Sequence, residues 1–405
     1  MQEFIRNNRD ADIRSLALKK VPEGVDIHWC LRQIEGYQLA RKKLPRWAAT
    51  EGLWYPPRLS MEQCSSEATA LYKKKIVERL ATCNGKPLPY SICDITGGFG
   101  VDFSYMAQGA LRATYIEQQE VLCEAAKHNM PLLGLSEAVI INGDGTAYQE
   151  AEDRNSSAEG NSMRIVFADP ARRDDAGRKT VAIEDCTPDI CSLHEGILSW
   201  ADILMVKLSP MLDITQALRC LHHVSEVHVV SVRGECKELL FVLRAQENDG
   251  ITFHCVNLDT EQHAFSCSQE ENGEAKVALR CRMPERGMVL SEPNASILKA
   301  GVQEAFARHY ALEKLNPMSN LYVSEAEEGG IPARQFRICS IHDFSKASLK
   351  QLCKDVRQAN ITVRNFPATV AELRKRLKIK EGGSKYLFAT TLYDGSHALI
   401  LCERD

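Results

Sequence analysis

Residues 90–109 read as a strand, a glycine-rich turn and a helix, and this order constrains the fold more than any other stretch. The run 91–95 is apolar without helical periodicity and includes Asp94, so it predicts a buried strand with an acid at its carboxyl end. Residues 96–100, TGGFG, form the turn. Glycine is needed where the backbone has positive φ or approaches a ligand closely, so we expect a ligand at this strand end.

The spacing of the glycines separates two kinds of nucleotide site. A dinucleotide-binding turn needs a further glycine three residues after Gly100, and this chain has Phe103 there. The stretch resembles instead motif I of the class I S-adenosylmethionine-dependent methyltransferases. Its variant, with Asp94, Thr96 and Asp102, resembles that of ribosomal RNA guanine methyltransferases, although many members have glycine in place of Thr96. The alternative is a purely structural glycine turn in another α/β protein.

Length and composition indicate a soluble protein of more than one domain. The 405 residues exceed one ordinary hydrophobic core, and no apolar run reaches the ~20 residues of a membrane helix. The first residues lack the apolar core of a signal peptide, so we expect a cytoplasmic protein. Fifteen scattered cysteines without a CxxC pair favour reduced thiols over disulfides or zinc, and we expect no metal.

Charge is distributed unevenly along the chain. Residues 334–385 carry 13 Lys and Arg against 4 Asp and Glu, a net charge of +9, so the rest of the chain carries −13. A basic module on an acidic protein is typical of contact with a polyanion, although a solvated surface gives the same pattern.

Strands and helices alternate after the glycine turn, and the strands end in polar residues. Glu117 stands about twenty residues after the turn, where an acid can accept both hydroxyls of a ribose. Asp144, Asp169 and Lys207 end later strands. Carboxyl ends of parallel strands share one sheet edge, so we expect these side chains at one ligand site. Seven strands are predicted, at residues 91–95, 113–116, 138–141, 164–168, 203–206, 227–231 and 239–243.

Motifs along nearly the whole chain carry a wider resemblance: WxxxEGLWYPPRLSMEQCSSEATALYKK, DITGGFG, DPARR, VKLSP, RGECKEL and the basic RNFPATVAELRKRLKIKEGGSKYLF. They resemble a bacterial family of class I methyltransferases with a C-terminal THUMP-like domain. The resemblance implies a Rossmann-like seven-stranded methyltransferase domain with a helical N-terminal region and a small C-terminal α+β module, ferredoxin-like plus THUMP-like. Four regions follow: 1–85 (helical), 86–285 (methyltransferase), 286–330 (ferredoxin-like, with a helix from Glu292 through Phe306) and 331–405 (THUMP-like and basic).

The resemblance also implies S-adenosylmethionine as the cofactor. Asp144 would bind the adenine amine, and the helix before motif I would cover the cofactor, although Ser65 or Ser66 also reads as a simple helix cap. The cofactor-binding candidates are Asp94, Thr96, Gly97, Gly98, Gly100, Asp102, Glu117, Gln118, Asp144, Gly145, Gln63 and Ser66.

Residues 169–173, DPARR, stand where the superfamily has its catalytic motif, an Asp or Asn followed by two prolines and an aromatic residue. The catalytic candidates are Asp169, Pro170 and Arg172. Asp169 and the carbonyl of Pro170 would hydrogen bond an exocyclic amine, and Arg172 replaces the aromatic residue that stacks on a flipped base. A Pro-x-Arg sequence also occurs in enzymes that methylate uridine at carbon, which need a cysteine nucleophile. Cys236 is the candidate, but a packed thiol is the favoured interpretation, and Lys207 stays open between phosphate ligand, ion-pair partner of Asp169 and solvated residue.

The predicted activity is methylation of a base, at an exocyclic amine, in ribosomal or transfer RNA. The alternatives are a cofactor-binding RNA assembly protein without methyl transfer, and a small-molecule methyltransferase. The oligomeric state stays open. Phe366 and Tyr386 are expected in the core of the basic module, and its RNA-binding candidates are Arg364, Arg374, Lys375, Arg376, Lys378 and Lys380.

Overall fold

The computed structural model describes residues 1–18, 23–149, 162–171, 182–246, 249–261, 264–274, 276, 278–280, 283–327 and 329–404. The chain divides into two compact units. The first comprises Met1–Glu226 and Glu238–Asp249, and the second Val227–Lys237 and Gly250–Asp405. Among the described helices none combines the length and the apolar character that a membrane crossing requires.

Among its described residues, the first unit contains ten α-helices, seven complete strands and parts of two more. The helices are α1 (Gln2–Asn7), α2 (Ile13–Ala17), α3 (Ile27–Lys43), α4 (Pro45–Ala49), α5 (Arg58–Gln63), α6 (Glu67–Leu80), α7 (Val101–Met106), α8 (Glu120–Leu132), α9 (Ile190–Leu198) and α10 (Ile214–Cys220), with a 3₁₀ turn at Gly145–Ala147. The strands are β1 (Thr82–Cys83), β2 (Lys86–Pro87), β3 (Tyr90–Asp94), β4 (Arg112–Glu117), β5 (Val139–Asn142), β6 (Met163–Ala168), β7 (Ile203–Leu208), β8 (Val224–Val232) and β9 (Glu235–Arg244). The chain leaves this unit within β8 and returns within β9.

The sheet of the first unit has the order β9-β7-β6-β3-β4-β5. Pairs between β3, β4, β5, β6 and β7 are parallel, and β9 runs antiparallel to β7. The runs at β3, β6 and β7 are buried almost throughout, as expected for central strands that helices cover on both faces. β3 to β9 are the seven strands that the sequence predicts, so the Rossmann-like α/β class is confirmed.

The N-terminal helices pack on the sheet domain through one apolar cluster. Trp47 stacks edge-on against Phe99 of the glycine turn with ring centroids 4.8 Å apart, and both are buried. α6 begins at its cap Ser66, whose hydroxyl accepts a hydrogen bond from the amide of Thr69. The helical N-terminal region of the prediction is therefore present, and it is anchored beside the predicted ligand site.

The second unit is built on antiparallel strands. Its other elements are β10 (Thr252–Leu258), β11 (Phe265–Ser268), β12 (Val289–Pro293), β13 (Glu313–Lys314), β14 (Tyr322–Ser324), β15 (Ala333–Asp343), β16 (Asn360–Arg364), β17 (Lys385–Thr391), β18 (His397–Glu403), α11 (Gln269–Glu274), α12 (Ala295–Ala300), α13 (Gln303–His309), α14 (Lys346–Asp355) and α15 (Val370–Leu377). The main sheet has the order β13-β14-β12-β15-β18-β17-β16, in which β16 and β17 are parallel.

Two details of the second unit correct the sequence prediction. The continuous helix from Glu292 to Phe306 was wrong, because residues 289–293 form a strand and Gly301, with φ 72°, separates α12 from α13. A left-handed residue cannot continue an α-helix, and glycine takes that conformation at the lowest cost. The strands β10 and β11 were not predicted. Phe366 and Tyr386 pack against the hydrophobic core, in agreement with the expectation.

Candidate active site

The glycine turn follows β3 and is fixed by hydrogen bonds to the next strand. The amide of Gly97 donates to the carbonyl of Ile116 at 2.8 Å, and the amide of Gly98 donates to Glu117 Oε2 at 2.9 Å. Gly98 and Gly100 have φ values of 56° and 81°. Only glycine takes such values without strain, so the sequence itself specifies this turn.

The glycines of the site differ in what surrounds them. A Cβ on Gly97 would lie 2.3 Å from the Tyr115 ring, and one on Gly100 would lie 2.6 Å from the methyl group of Met130. At Gly98 the closest atom to such a Cβ is 3.6 Å away. Gly97 is therefore required by the packing of the protein itself, and Gly100 is required by its φ of 81°. Gly98 faces open space at the carboxyl end of β3, where a ligand can approach the backbone.

Two carboxylates on the neighbouring strand ends lie on the same edge of the sheet. Glu117 is half-buried, and its second oxygen, Oε1, accepts from the amide of Gln119 at 2.9 Å. Asp144 is exposed and accepts from the amide and the hydroxyl of Thr146 at 2.9 and 2.8 Å, which lowers its pKa. Both groups are acceptors that hydrogen bonds to the backbone hold in position at the ligand-binding edge of the sheet.

Gly145 and Gln118 complete this side of the site. A Cβ on Gly145 would lie 2.1 Å from the carbonyl oxygen of Ile95, so this glycine permits close packing of the Asp144 turn on β3. Gln118 is exposed next to Glu117. Since the glycine is required by the protein's own backbone, its presence alone does not indicate a ligand.

Asp94 ends β3 as predicted and is buried. Its Oδ1 accepts from the amide and the hydroxyl of Thr96 at 3.0 and 3.3 Å. Burial, with the nearby charges of Asp102 and Asp169, raises the pKa of Asp94 to about 8, and the hydrogen bond from the Thr96 amide opposes this shift. The Thr96 hydroxyl also accepts from the amide of Asp169 at 2.6 Å. Thr96, which replaces a glycine of the family motif, thus links the end of β3 to the start of the 169–171 segment.

Asp169 follows β6 and is paired with Lys207 from the end of β7. Lys207 Nζ lies 2.5 Å from Asp169 Oδ2 and 3.9 Å from Asp102 Oδ2. Burial alone would lower the pKa of Lys207, but the carboxylates of Asp169 and Asp102 raise it above its ordinary value. Of the three alternatives left open by the sequence, the structure therefore makes Lys207 the ion-pair partner of Asp169.

The pair continues into a buried network of alternating charges. Lys73 of α6 is fully buried, and its Nζ lies 3.1 Å from Asp102 Oδ1 and 2.7 Å from Glu238 Oε1. Ser65 donates to Asp102 Oδ2 at 2.6 Å. Burial opposes the ionisation of Asp102, but Lys73 and Lys207 hold its pKa below the usual value. Asp102, predicted as a cofactor ligand, is thus enclosed by protein cations.

The remaining candidates are exposed, serve a structural contact or lie outside the described residues. Gln63 is exposed at the end of α5, and Ser66 serves as the cap of α6. Pro170 is buried and Ala171 pairs with Thr187 through two backbone hydrogen bonds. Arg172 lies outside the described residues, so its catalytic assignment stays a prediction. Cys236 is half-buried in the part of β9 that belongs to the second unit.

Comparison with known proteins assigns this chain to a family. A model described as a THUMP domain-like family matches residues 333–404, and one described as a ferredoxin-like domain matches residues 290–332. The crystal structure of a candidate methyltransferase from Porphyromonas gingivalis W83 aligns with a TM-score of 0.85 at 33% identity, covering 100% of this chain and 97% of that chain. The chain belongs to this methyltransferase family.

More distant solved structures have a lower sequence identity and a lower TM-score. A type I restriction-modification methyltransferase subunit from Streptococcus thermophilus has 13% identity and a TM-score of 0.35, over 62% of this chain and 56% of its own. A candidate RNA methyltransferase from Pyrococcus horikoshii has 13% identity and a TM-score of 0.34, over 50% of this chain and 96% of its own. No curated protein sequence matches the chain.

The predicted RNA-binding residues lie in the THUMP-like domain and divide into two groups. Arg364 donates to Glu292 Oε1 at 2.8 Å through Nε, and Glu292, which Arg334 also contacts, is buried. Arg376 lies over the Phe344 ring at 4.3 Å, and Arg374 is half-buried. Lys375, Lys378 and Lys380 are exposed at α15 and the segment after it. Arg364 therefore has a structural partner, whereas the three lysines extend from an open surface.

Two residues of the methyltransferase site were missed by sequence reasoning, Lys73 and Glu238. Lys73 occupies the apolar face of α6 together with Ala70, Ile76 and Val77, a position where a charge requires a buried partner. Glu238 opens the apolar run LLFVL of β9 in the same way. A charged residue at a core position of each element was the signal, although nothing local indicates that the two pair with each other.

Proposed function

We propose that this protein is a class I S-adenosylmethionine-dependent methyltransferase that methylates an exocyclic amine of a base in ribosomal or transfer RNA. One observation carries the proposal: the open glycine Gly98 and the acceptors Glu117, Asp144 and Asp169 stand at successive strand ends along one edge of a parallel sheet. Ligands of open α/β sheets bind at that edge. Membership of a methyltransferase family supports methyl transfer as the reaction.

The residues present fit the cofactor. Glu117 offers a half-buried carboxylate that the Gly98 and Gln119 amides already orient, so a ribose would meet a fixed acceptor. Asp144 stands one strand further out, where it would accept from the adenine amine, with Gln118 beside it. Beside the Cα of Gly98 there is room for a ligand atom, because a Cβ there would meet no protein atom closer than 3.6 Å. When bound, S-adenosylmethionine supplies an electrophilic methyl group. Asp94, Thr96, Gly97, Gly100 and Gly145 shape the pocket that would hold it.

Asp169 is the residue that would act on the substrate. Oδ2 is taken by Lys207, so Oδ1 is the oxygen that would accept an N–H of the amine, with the Pro170 carbonyl as a second acceptor. Two acceptors that hold both N–H bonds direct the nitrogen lone pair away from themselves, toward the methyl donor. The Thr96 hydroxyl holds the backbone amide of Asp169 and Lys207 holds its Oδ2, so the backbone and the carboxylate are each fixed by a partner. Positioning, rather than acid–base chemistry, is the main contribution.

The proposed substrate class rests on the second unit. Its THUMP-like domain presents Lys375, Lys378 and Lys380 on an exposed surface, and cations on such a surface bind the phosphates of a nucleic acid. An RNA substrate and reduced cysteines together favour the cytoplasm as its location.

The test is transfer of tritiated methyl groups from S-adenosylmethionine to total bacterial RNA from a strain that lacks this gene. Labelled RNA supports the proposal, and digestion to nucleosides then identifies the base and atom. Cofactor binding by calorimetry without any labelled product would favour the assembly-protein alternative. Label in small metabolites but not in RNA would favour small-molecule methylation. Covalent trapping on 5-fluorouridine RNA would favour methylation at carbon with Cys236.

A further inference from the structure

Three imidazoles surround the Glu195 carboxylate at a place remote from the site described above. His222 Nδ1 lies 3.3 Å from Glu195 Oε1, His223 Nε2 lies 3.4 Å from Oε2, and His194 Nε2 lies 3.6 Å from Oε1. All four residues belong to the first unit, on α9 and in the turn between α10 and β8. The ligand atoms of His194, Glu195 and His222 all lie within 4.8 Å of one another.

The hydrogen bonds of His194 fix its tautomer. The ring is buried, and Nδ1 contacts the carbonyl oxygens of Ile190 at 3.2 Å and Cys191 at 2.8 Å, so the proton is on Nδ1. Nε2 accepts from the backbone amide of His222 at 3.2 Å, so it carries a lone pair. A histidine that donates Nδ1–H to a backbone carbonyl and keeps its lone pair on Nε2 has the tautomer of a metal ligand, and a metal ion bound at Nε2 would replace the hydrogen bond from the His222 amide.

With this tautomer, no proton lies between His194 Nε2 and Glu195 Oε1. His222 and His223 can donate to the Glu195 carboxylate, whereas His194 Nε2 and Glu195 Oε1 lie 3.6 Å apart as two acceptors, with Nε2 bonded to the His222 amide. Two acceptors this close to each other favour a cation between them. The separations also fit a single ion, because ligands about 2.0–2.2 Å from a tetrahedral zinc ion are roughly 3.3–3.5 Å from each other.

We propose that His194, Glu195 and His222 form a zinc site. A water molecule would complete a tetrahedral set. The ligands are nitrogen and carboxylate atoms rather than thiols, which is why the scattered cysteines of the sequence gave no sign of it.

The position of the site indicates a structural role. α9 ends at Leu198, shortly before β7 begins at Ile203, and His222 precedes the start of β8 at Val224. These are the amino ends of the strands, whereas Lys207 pairs with Asp169 at the carboxyl end of β7. A bound ion would join the end of α9 to the turn after α10 and stabilise that edge of the sheet, without contact to the proposed substrate.

The test uses the full-length protein, reduced and freed of metal by a chelator, titrated with Zn²⁺ alone. The variants are Glu195→Gln and His222→Asn, both at exposed positions, and the control is His28→Asn, an exposed histidine of α3. We expect the wild type and the control to bind one more equivalent of zinc than either variant, or to bind it at least tenfold more tightly. Zinc should raise the melting temperature of the wild type and the control by a few degrees, and that of the variants by less.

Zinc held on cysteines would add the same number of equivalents to all four proteins, so only the difference reports this site. Equal zinc affinity and equal thermal shifts in the wild type, Glu195→Gln and His222→Asn would overturn the proposal. Absence of zinc binding by the wild type would overturn it as well. Melting of each variant without metal, compared with the wild type, shows whether the substitution itself perturbs the fold.

Discussion

Lys207 Nζ lies 2.5 Å from Asp169 Oδ2, and the lysine side chain is 13% exposed whereas the aspartate is 39% exposed. The cation is therefore the buried partner, and the carboxylate is the one that is open to a ligand. Because Lys73, Asp102 and Glu238 extend this pair into the interior, the orientation of Asp169 depends on a rigid charged network rather than on a surface contact.

Lys207→Met should reduce methyl transfer through kcat. Without the ammonium, Asp169 keeps its backbone anchor at Thr96 but loses the partner that orients Oδ2. We expect kcat to fall about 10–100-fold, equivalent to about 1.4–2.7 kcal/mol of barrier, with little change in cofactor affinity. Steady-state kinetics of the variant and of Lys75→Met, an exposed lysine of α6, measure the effect. An unchanged kcat in a folded Lys207→Met protein would show that the ion pair is only structural.

Gly98→Ala should weaken cofactor binding without unfolding the protein. Gly98 and Gly134 have φ values of 56° and 83°, and a Cβ on either meets no atom closer than 3.6 Å. Each substitution costs roughly 1 kcal/mol of backbone strain. Only the Cβ at Gly98 would enter the proposed pocket, so calorimetry with S-adenosylmethionine should show at least a tenfold loss for Gly98→Ala and none for Gly134→Ala. Equal affinities would remove Gly98 from the cofactor site.

The raised pKa of Asp94 predicts a pH-dependent stability. With a native pKa of about 8, the folded protein keeps a proton that the unfolded chain releases near pH 4, so folding becomes less favourable as pH rises between these values. The slope is at most about 1.4 kcal/mol per pH unit. Asp94→Asn cannot titrate, so its stability relative to the wild type should increase from about pH 5.5 to about pH 7.5 in urea unfolding. A constant difference would mean that Asp94 is ionised throughout.

The exposed lysines and Arg364 should have different effects when substituted. The triple variant Lys375→Gln, Lys378→Gln, Lys380→Gln should bind RNA more weakly. The slope of log Kd against log[salt] should also fall, by up to about 2 for single-stranded RNA. Arg364→Ala should instead lower the melting temperature, because it leaves the buried Glu292 with one arginine fewer. Filter binding at several salt concentrations and thermal melting separate the two. Unchanged RNA affinity in the triple variant would place the RNA surface elsewhere.

The sequence alone predicted those parts of the site whose residues follow a local pattern along the chain. Asp94, Glu117, Asp144 and Asp169 each follow a short apolar run, and the parallel order of those runs brings their ends to one edge. The glycines were also predictable, because positive φ at Gly98 and Gly100 restricts the residue type. Local pattern and long-range geometry agree at these positions.

Other features depend on contacts that no local pattern encodes. Lys73 and Glu238 are separated by 165 positions, and only the folded sheet joins them. The break at Gly301 was overlooked because the apolar residues on both sides share a helical spacing. The proposed zinc site lies where α9 meets the turn after α10, and neither segment alone has a metal-binding spacing. Long-range pairing, rather than propensity, accounts for what the sequence did not predict.

The most direct test of the account is methyl transfer by Asp169→Ala, which removes both carboxylate oxygens. The control is Asp26→Asn at the cap of α3, where asparagine caps as well as aspartate. We expect tritium incorporation into RNA to fall about 100-fold or more in Asp169→Ala and to stay unchanged in the control, with S-adenosylmethionine binding by calorimetry retained in both. Wild-type incorporation by a folded Asp169→Ala protein would contradict the central claim that this carboxylate positions the acceptor amine.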